Sequence, residues 1–223
     1  MTSPAVATPG RQLLATTRYR HPGDVIRLIA GATVQWHCDP SSEAQRIYFG
    51  NHSSHLDFVV IWSALPPRLR RLTRPVAGRD YWERSPARRY LAGRVFHAVL
   101  IERHDPGSIP AVDAARASIQ RMSDEIGDRH SLIVFPEGTR GQNGEVGSFK
   151  SGLYHLSKLR PDVELIPVYL ENLNRILPKG EFLPVPMLSR VVFGPPVSTN
   201  FDEGKDEFLA RARQALVQLR GMP

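Results

Sequence analysis

The sequence predicts an α/β fold, a mixed and largely parallel sheet flanked by helices in a single layered domain. Two observations carry this. Short β-prone runs alternate along the chain with segments whose apolar residues recur at steps of three and four, the pattern that lays helices on the faces of a sheet. At 223 residues, with 41% apolar and 23% charged side chains, the chain is long enough to bury one sizeable core and has an ordinary globular composition.

The first ten residues, MTSPAVATPG, are small and proline-containing and predict a disordered tail rather than a secretory leader. Residues 11–223 are expected to form one domain, with 11–36 as its N-terminal element. There an apolar cluster (Val25, Ile26, Leu28, Ile29) between arginines predicts a short amphipathic helix, which suits either a membrane surface or the core, and a strand follows near 32–36. Arg46–Gly50 reads as a strand, and NHSSHLD then breaks it before the apolar run Phe58–Leu65, which reads as a helix. Apolar side chains at 112, 115, 119, 122 and 126 predict an amphipathic helix ending at 128–130. Ser131–Phe135 is a short buried strand stopped by Pro136, which brings no ladder donor. Phe149–Leu159 reads as helix, Val163–Leu170 and Arg190–Phe193 as strands, and Asp206–Arg220 as a last helix. Loops at strand ends are where such folds place their sites.

Composition narrows the function classes. With one cysteine, Cys38, no intramolecular disulfide and no cysteine-rich metal site can form, which favours a reducing compartment. The longest apolar stretch, 58–65, falls far short of the roughly 20 residues of a membrane-spanning helix. The net charge of +7 is concentrated: between Arg68 and Arg103 stand ten arginines against Asp80, Glu83 and Glu102. Such a block attracts an anionic membrane, an acidic carrier protein or phosphorylated substrates. Its aromatics are spaced too irregularly for a base-stacking platform, so no nucleic-acid partner is expected.

Two constellations can carry chemistry. In Asn51-His52-Ser53-Ser54-His55-Leu56-Asp57 a histidine ends a strand and an aspartate follows within the first turn of a helix. Helical side chains lean toward the N-terminus, so Asp57 can reach the His52 imidazole, fix its tautomer and leave the other ring nitrogen as a base. The same residues also suit a turn cap and a helix-dipole partner. His55 invites a metal reading, yet no further ligand cluster follows at a recognisable spacing, and no metal is expected. In Phe135-Pro136-Glu137-Gly138-Thr139-Arg140-Gly141 a strand delivers a tight loop with an acid, a hydroxyl and a guanidinium fork suited to phosphate, though an ordinary surface turn can look the same.

Together, in this order and at this separation, the two resemble the NHxxxxD and FPEGTR motifs of the glycerolipid acyltransferase family, whose best-known members acylate lysophosphatidic acid. Val99–Arg103, Phe149-Lys150-Ser151-Gly152 and Leu165–Val168 resemble further family segments, and the likeness runs over about 31–196. It implies the glycerolipid acyltransferase type of fold, His52 as catalytic base and Asp57 as its orienting partner. It also implies that Arg103 and the loop of Glu137, Gly138, Thr139 and Arg140 hold a glycerol phosphate, with Lys150 and Gly152 shaping the nearby wall. The implied reaction is direct transfer from acyl-CoA or acyl carrier protein to lysophosphatidic acid, giving phosphatidic acid without an acyl-enzyme, so Cys38 has no part and no cofactor is needed beyond the co-substrate. The spacer Ser53 to Leu56 and Glu102 depart from common family residues and bear on acceptor fit. A different lyso-lipid acceptor, such as lyso-ornithine lipid, and a non-catalytic anionic-surface binder remain as alternatives. The expected location is peripheral, on the cytoplasmic face of an anionic membrane.

Overall fold

The structure is a computed structural model; it describes residues 33–54, 57–102, 109–141, 145–171, 190–200 and 202–222, with only the main chain of 109–111. The expected tail and most of the amphipathic element before residue 33 lie outside the described residues. In chain order the elements are β1 (Thr33–Trp36), β2 (Arg46–Gly50), α1 (Asp57–Ala64), α2 (Pro67–Leu72), β3 (Thr73–Gly78), α3 (Arg79–Trp82) and α4 (Pro86–Tyr90), which runs into a π-helical turn at Leu91–Val95. Then come β4 (Val99–Ile101), α5 (Ile109–Ile126), β5 (Ser131–Val134), α6 (Gly152–Leu159), β6 (Glu164–Glu171), β7 (Arg190–Phe193) and α7 (Lys205–Gln218), closed by a 3₁₀ turn at Leu219–Gly221.

The strands form one sheet in the order β1-β7-β6-β2-β5-β3-β4. Every neighbouring pair is parallel except β6 with β7. β2 is enclosed by β5 and β6 and all five of its residues are buried, which explains its unbroken apolar centre, Ile-Tyr-Phe. Side-chain alternation divides the core between the two faces of the sheet. Tyr48 points to one face with α1, Ile133, Ile166 and Phe193, while Ile47 and Phe49 point to the other with Ile126, Leu132, Leu156, Phe208 and Leu216. Each such fully buried side chain contributes about 1.5–3 kcal/mol over its exposed state. α1 is buried nearly all round, so it lacks a polar stripe. An edge-to-face cluster of Phe58, Trp62, Trp82 and Phe96, with centroids 5.1–6.4 Å apart, wedges it against α3 and the π-helical turn.

The segment 67–101 holds what local patterning did not predict, two strands and three short helices. β3 reads TRPVAG, and its proline is tolerated by position. Thr73 to Pro75 pair with β5 and Val76 to Gly78 with β4, so Pro75 stands where the strand changes partner. Pro167 of β6 faces Phe49 where the β7 ladder breaks: Gly194 N–H donates to the Pro167 carbonyl at 2.8 Å, and the next bridge is Leu165 with Val197. α6 begins three residues later than its pattern predicts. Phe149 packs edge-on to Phe49 at 6.1 Å and Lys150 N–H donates to the Pro136 carbonyl at 2.8 Å, tying this stretch to the loop after β5.

The arginine block divides into two kinds of residue. Arg70 is buried, donates to the carbonyls of Ser63 and Leu65 at 2.7 and 3.0 Å, and lies over the Trp62 ring. Arg68 and Arg84 bond main-chain carbonyls, Arg74 pairs with Glu125, Arg79 with Glu83, and Arg88 covers the Tyr81 ring. Arg71, Arg89 and Arg94 are exposed, and their side chains make no hydrogen bond or ion pair among the described residues. Beside the last two, Tyr90 and Leu91 are 64% and 40% exposed. Among the described residues no helix is long and apolar enough to cross a membrane.

Candidate active site

β2 and β5 are adjacent and parallel, with Phe49 opposite Val134, so the loops that leave them emerge side by side at one edge of the sheet. One loop is Asn51–Ser54, the other Phe135–Gly141. Asn51 extends β2 by its side chain, donating from Nδ2 to the Leu170 carbonyl at 2.9 Å while Oδ1 accepts the Leu170 N–H at 2.8 Å. His52 is thereby turned out at the strand end.

Asp57, the first residue of α1, is fully buried. Its Oδ2 lies 2.8 Å from His52 Nδ1 and accepts the N–H groups of Ser53 at 2.6 Å and Ser54 at 2.8 Å, while its own N–H donates to the Ser54 carbonyl at 3.3 Å. The carboxylate thus folds back onto the two amides that precede the helix and onto the imidazole. Asp57 Oδ2 already accepts from two main-chain N–H groups, so the proton of a neutral His52 sits on Nδ1 and is donated to the same oxygen. Nε2 is left with its lone pair. The ring stacks on Phe135 at 4.5 Å and 19°, and 14% of the side chain is exposed. The result is an oriented base with one open edge.

The second loop turns tightly, with Gly138 N–H donating to the Phe135 carbonyl at 3.0 Å. Gly138 has φ +70°, and a Cβ there would stand 2.9 Å from Lys150 Cδ, Cε and Nζ. The positive φ is what favours glycine here, while the crowding comes from the flexible end of the Lys150 side chain, whose ammonium rests against the turn. Thr139 and Arg140 are exposed, and Arg140 makes no ion pair among the described residues. The Gly141 N–H donates to the His52 carbonyl at 2.8 Å. Glu137 is 6% exposed; its Oε1 accepts the His52 N–H and its Oε2 the Gly147 N–H, each at 2.9 Å.

The structure thus brings together His52, Asp57, Glu137, Gly138, Thr139, Arg140 and Lys150 at one edge of the sheet. Gly152 opens α6 nearby, where an added Cβ meets nothing within 4 Å, so space does not demand glycine there. Arg103 lies outside the described residues; β4, which ends at Ile101, runs parallel to β3 toward the same edge. Sequence reasoning did not find the Asn51 bridge, the Phe135 stack or the inward aim of Glu137. Each depends on at least one partner more than eighty residues away, and only the apolar character of Phe135 hinted at packing.

An acyltransferase family model matches residues 34–171. Over 182 residues the chain is 26% identical to the 1-acyl-sn-glycerol-3-phosphate acyltransferase of Limnanthes douglasii, covering 80% of this chain and 59% of that protein. Over 156 residues it is 31% identical to the 1-acyl-sn-glycerol-3-phosphate acyltransferase alpha of Mus musculus, covering 69% of this chain and 50% of that protein. The chain thus spans little more than half the length of these curated relatives. Among solved structures, the 1-acyl-sn-glycerophosphate (LPA) acyltransferase PlsC of Thermotoga maritima has the same fold, with a TM-score of 0.63 at 20% identity, covering 90% of this chain and 78% of that one.

Proposed function

This chain belongs to the acyltransferase family, and on that premise we propose that it is an O-acyltransferase moving a fatty acyl group from acyl-CoA or acyl carrier protein to lysophosphatidic acid. The product is phosphatidic acid. The observation that carries the reading is the His52–Asp57 contact, 2.8 Å long, beside a loop whose exposed Arg140, with the exposed Lys150 resting against it, offers two cations to a phosphate.

In this reading Nε2 of His52 takes the proton of the acceptor hydroxyl as its oxygen attacks the thioester carbonyl. A C–O bond forms, the C–S bond breaks when the tetrahedral intermediate collapses, and the proton passes from the imidazolium to the departing thiolate. General-base help of this kind is worth about 10² to 10⁴ in rate. Asp57 stabilises the imidazolium and holds the ring. Arg140, Lys150, Thr139 and Arg103 receive the glycerol phosphate, and Arg140 is suited to bidentate contact with phosphate oxygens. Gly138 and Gly152 belong to the same wall.

The protein works in this account from the surface of an anionic membrane, on its cytoplasmic face, held by the exposed Arg71, Arg89 and Arg94 with Tyr90 and Leu91 at the lipid boundary. The test is mass spectrometry of lipid products from a matrix of acyl-CoA and acyl carrier protein donors against lysophosphatidic acid, lyso-ornithine lipid and a phosphate-free lyso-acceptor. Phosphatidic acid formation that disappears in His52→Ala is the expected result. Preference for an acceptor without phosphate overturns the substrate, and full turnover by His52→Ala overturns the mechanism.

A further inference from the structure

We propose that Glu137 is a positioning residue that holds His52 through its main chain, and that it does not touch the acceptor. The inference rests on the acyl-transfer reading above and departs from the substrate-holding role that the family resemblance implies for this side chain.

The carboxylate is the wrong group in the wrong orientation for a phosphate. It carries the same sign of charge as the acceptor headgroup, and the residue is 6% exposed. Both of its oxygens are already bonded: Oε1 accepts the His52 N–H and Oε2 the Gly147 N–H, each at 2.9 Å. The approach at Gly147 is close enough that a Cβ there would fall 2.8 Å from Oε2. Four residues further along the same loop, the Gly141 N–H donates to the His52 carbonyl at 2.8 Å.

His52 is therefore gripped three ways. Asp57 holds the ring through Nδ1, Glu137 holds the peptide N–H, and Gly141 holds the peptide carbonyl. Two of the three grips come from the loop that offers Arg140 to the acceptor, so the frame of the base and the frame of the phosphate are one piece of structure. Both carboxyl oxygens of Glu137 are occupied by main-chain N–H groups, so the side chain is fixed between the two amides. Misplacing a reacting group by about 1 Å costs on the order of 10²-fold in rate, so loosening this grip should appear in turnover rather than in acceptor binding.

The experiment has two parts. Amide exchange at His52 and Gly147, followed by NMR on full-length protein, should speed up at least tenfold in Glu137→Ala while the core amides of β2 keep their wild-type rates. Unchanged exchange at both amides overturns the grip, whether or not the protein transfers acyl groups. Steady-state kinetics on wild type, Glu137→Gln and Gly147→Ala, the last displacing the carboxylate without altering it, should then show kcat lowered about 10- to 100-fold with the acceptor KM within about twofold. Glu137→Gln keeps one acceptor oxygen but sets an amide N–H against a main-chain N–H, so it should not rescue. A raised acceptor KM at constant kcat, or an altered preference between lysophosphatidic acid and a phosphate-free acceptor, overturns the assignment in favour of a substrate ligand. Wild type inactive on every acceptor refutes the acyl-transfer reading instead, and the exchange rates still decide the grip.

Discussion

The Asn51 side chain pairs with the Leu170 main chain as another strand residue would, giving and receiving one hydrogen bond at 2.9 and 2.8 Å across 119 positions of sequence. Asn51 is 6% exposed, so neither Leu170 group can turn to water if the amide is lost. Asn51→Ala should therefore destabilise the fold by about 2–4 kcal/mol, the cost of two unsatisfied buried groups, and lower turnover because His52 is the next residue. Asn51→Asp should not rescue, since it sets a carboxylate oxygen against the Leu170 carbonyl. Urea unfolding measures this, and a loss below about 0.5 kcal/mol would show that the bridge carries no weight.

Asp57→Asn removes the carboxylate oxygen shared by His52 Nδ1, Ser53 N–H and Ser54 N–H. An amide can keep an oxygen toward the two main-chain donors, but it no longer balances an imidazolium. We expect acyl transfer to fall at least about 100-fold while the thermal midpoint moves little, because general-base catalysis is lost and packing is retained. Turnover within fivefold of wild type in a rate assay would contradict the pairing as a catalytic one.

Arginines of the same block should behave oppositely. Replacing Arg89 and Arg94 together with alanine should weaken partitioning onto anionic vesicles about tenfold or more, since each basic residue near such a surface contributes roughly 1 kcal/mol, and leave stability unchanged. Arg70→Ala should leave vesicle binding of the folded protein intact and cost about 2–3 kcal/mol of stability, because Arg70 is buried and bonds the carbonyls of Ser63 and Leu65. Co-sedimentation together with denaturant melts separates the two. Equal vesicle losses in both variants would show that buried and exposed guanidinium groups contribute alike.

His130 supplies a pH dependence. Burial holds its imidazole below the ordinary value of 6.5, and Arg74 and Arg129 push it further down against a smaller pull from Glu125. The Arg74 guanidinium can only donate, so Nε2, 3.1 Å from Arg74 Nη2, accepts and must be unprotonated. The unfolded chain therefore binds this proton more readily. The stability His130 contributes is fully present above pH 6.5 and is lost as pH falls from there through the folded value. Urea midpoints at pH 8 and pH 5.5 should differ more for wild type than for His130→Gln, whose amide oxygen can still accept from Arg74. Equal drops in the two proteins would assign the acid sensitivity to other groups.

Local sequence was enough for β2, α1, β5 and β7, because burial on both faces produces unbroken apolar runs such as IYF and LIV whatever the strand's neighbours are. The reach of Asp57 back to His52 was likewise legible, since an acid at the start of a helix leans toward the residues just before it. β3 was not legible. Arg74 and Pro75 disfavour a strand on local grounds, and only the change of partner from β5 to β4 makes the proline harmless. The aim of Glu137 was hidden for a similar reason: an acid in a glycine turn reads as solvent-facing, and the amides that draw it inward belong to His52, 85 positions earlier, and to Gly147.

Which groups reach the site could thus be read along the chain: a histidine with an aspartate five residues on, and a glycine loop carrying arginine, in an α/β chain. Those are properties of neighbouring residues, set by side-chain chemistry and local backbone geometry. The tertiary structure decided how they are held, by placing β2 beside β5 so that the two loops grip each other through Glu137 and Gly141, and by burying Arg70 while leaving Arg89 and Arg94 in the open. Strand order and register create those relations between distant residues, and no spacing along the chain encodes them.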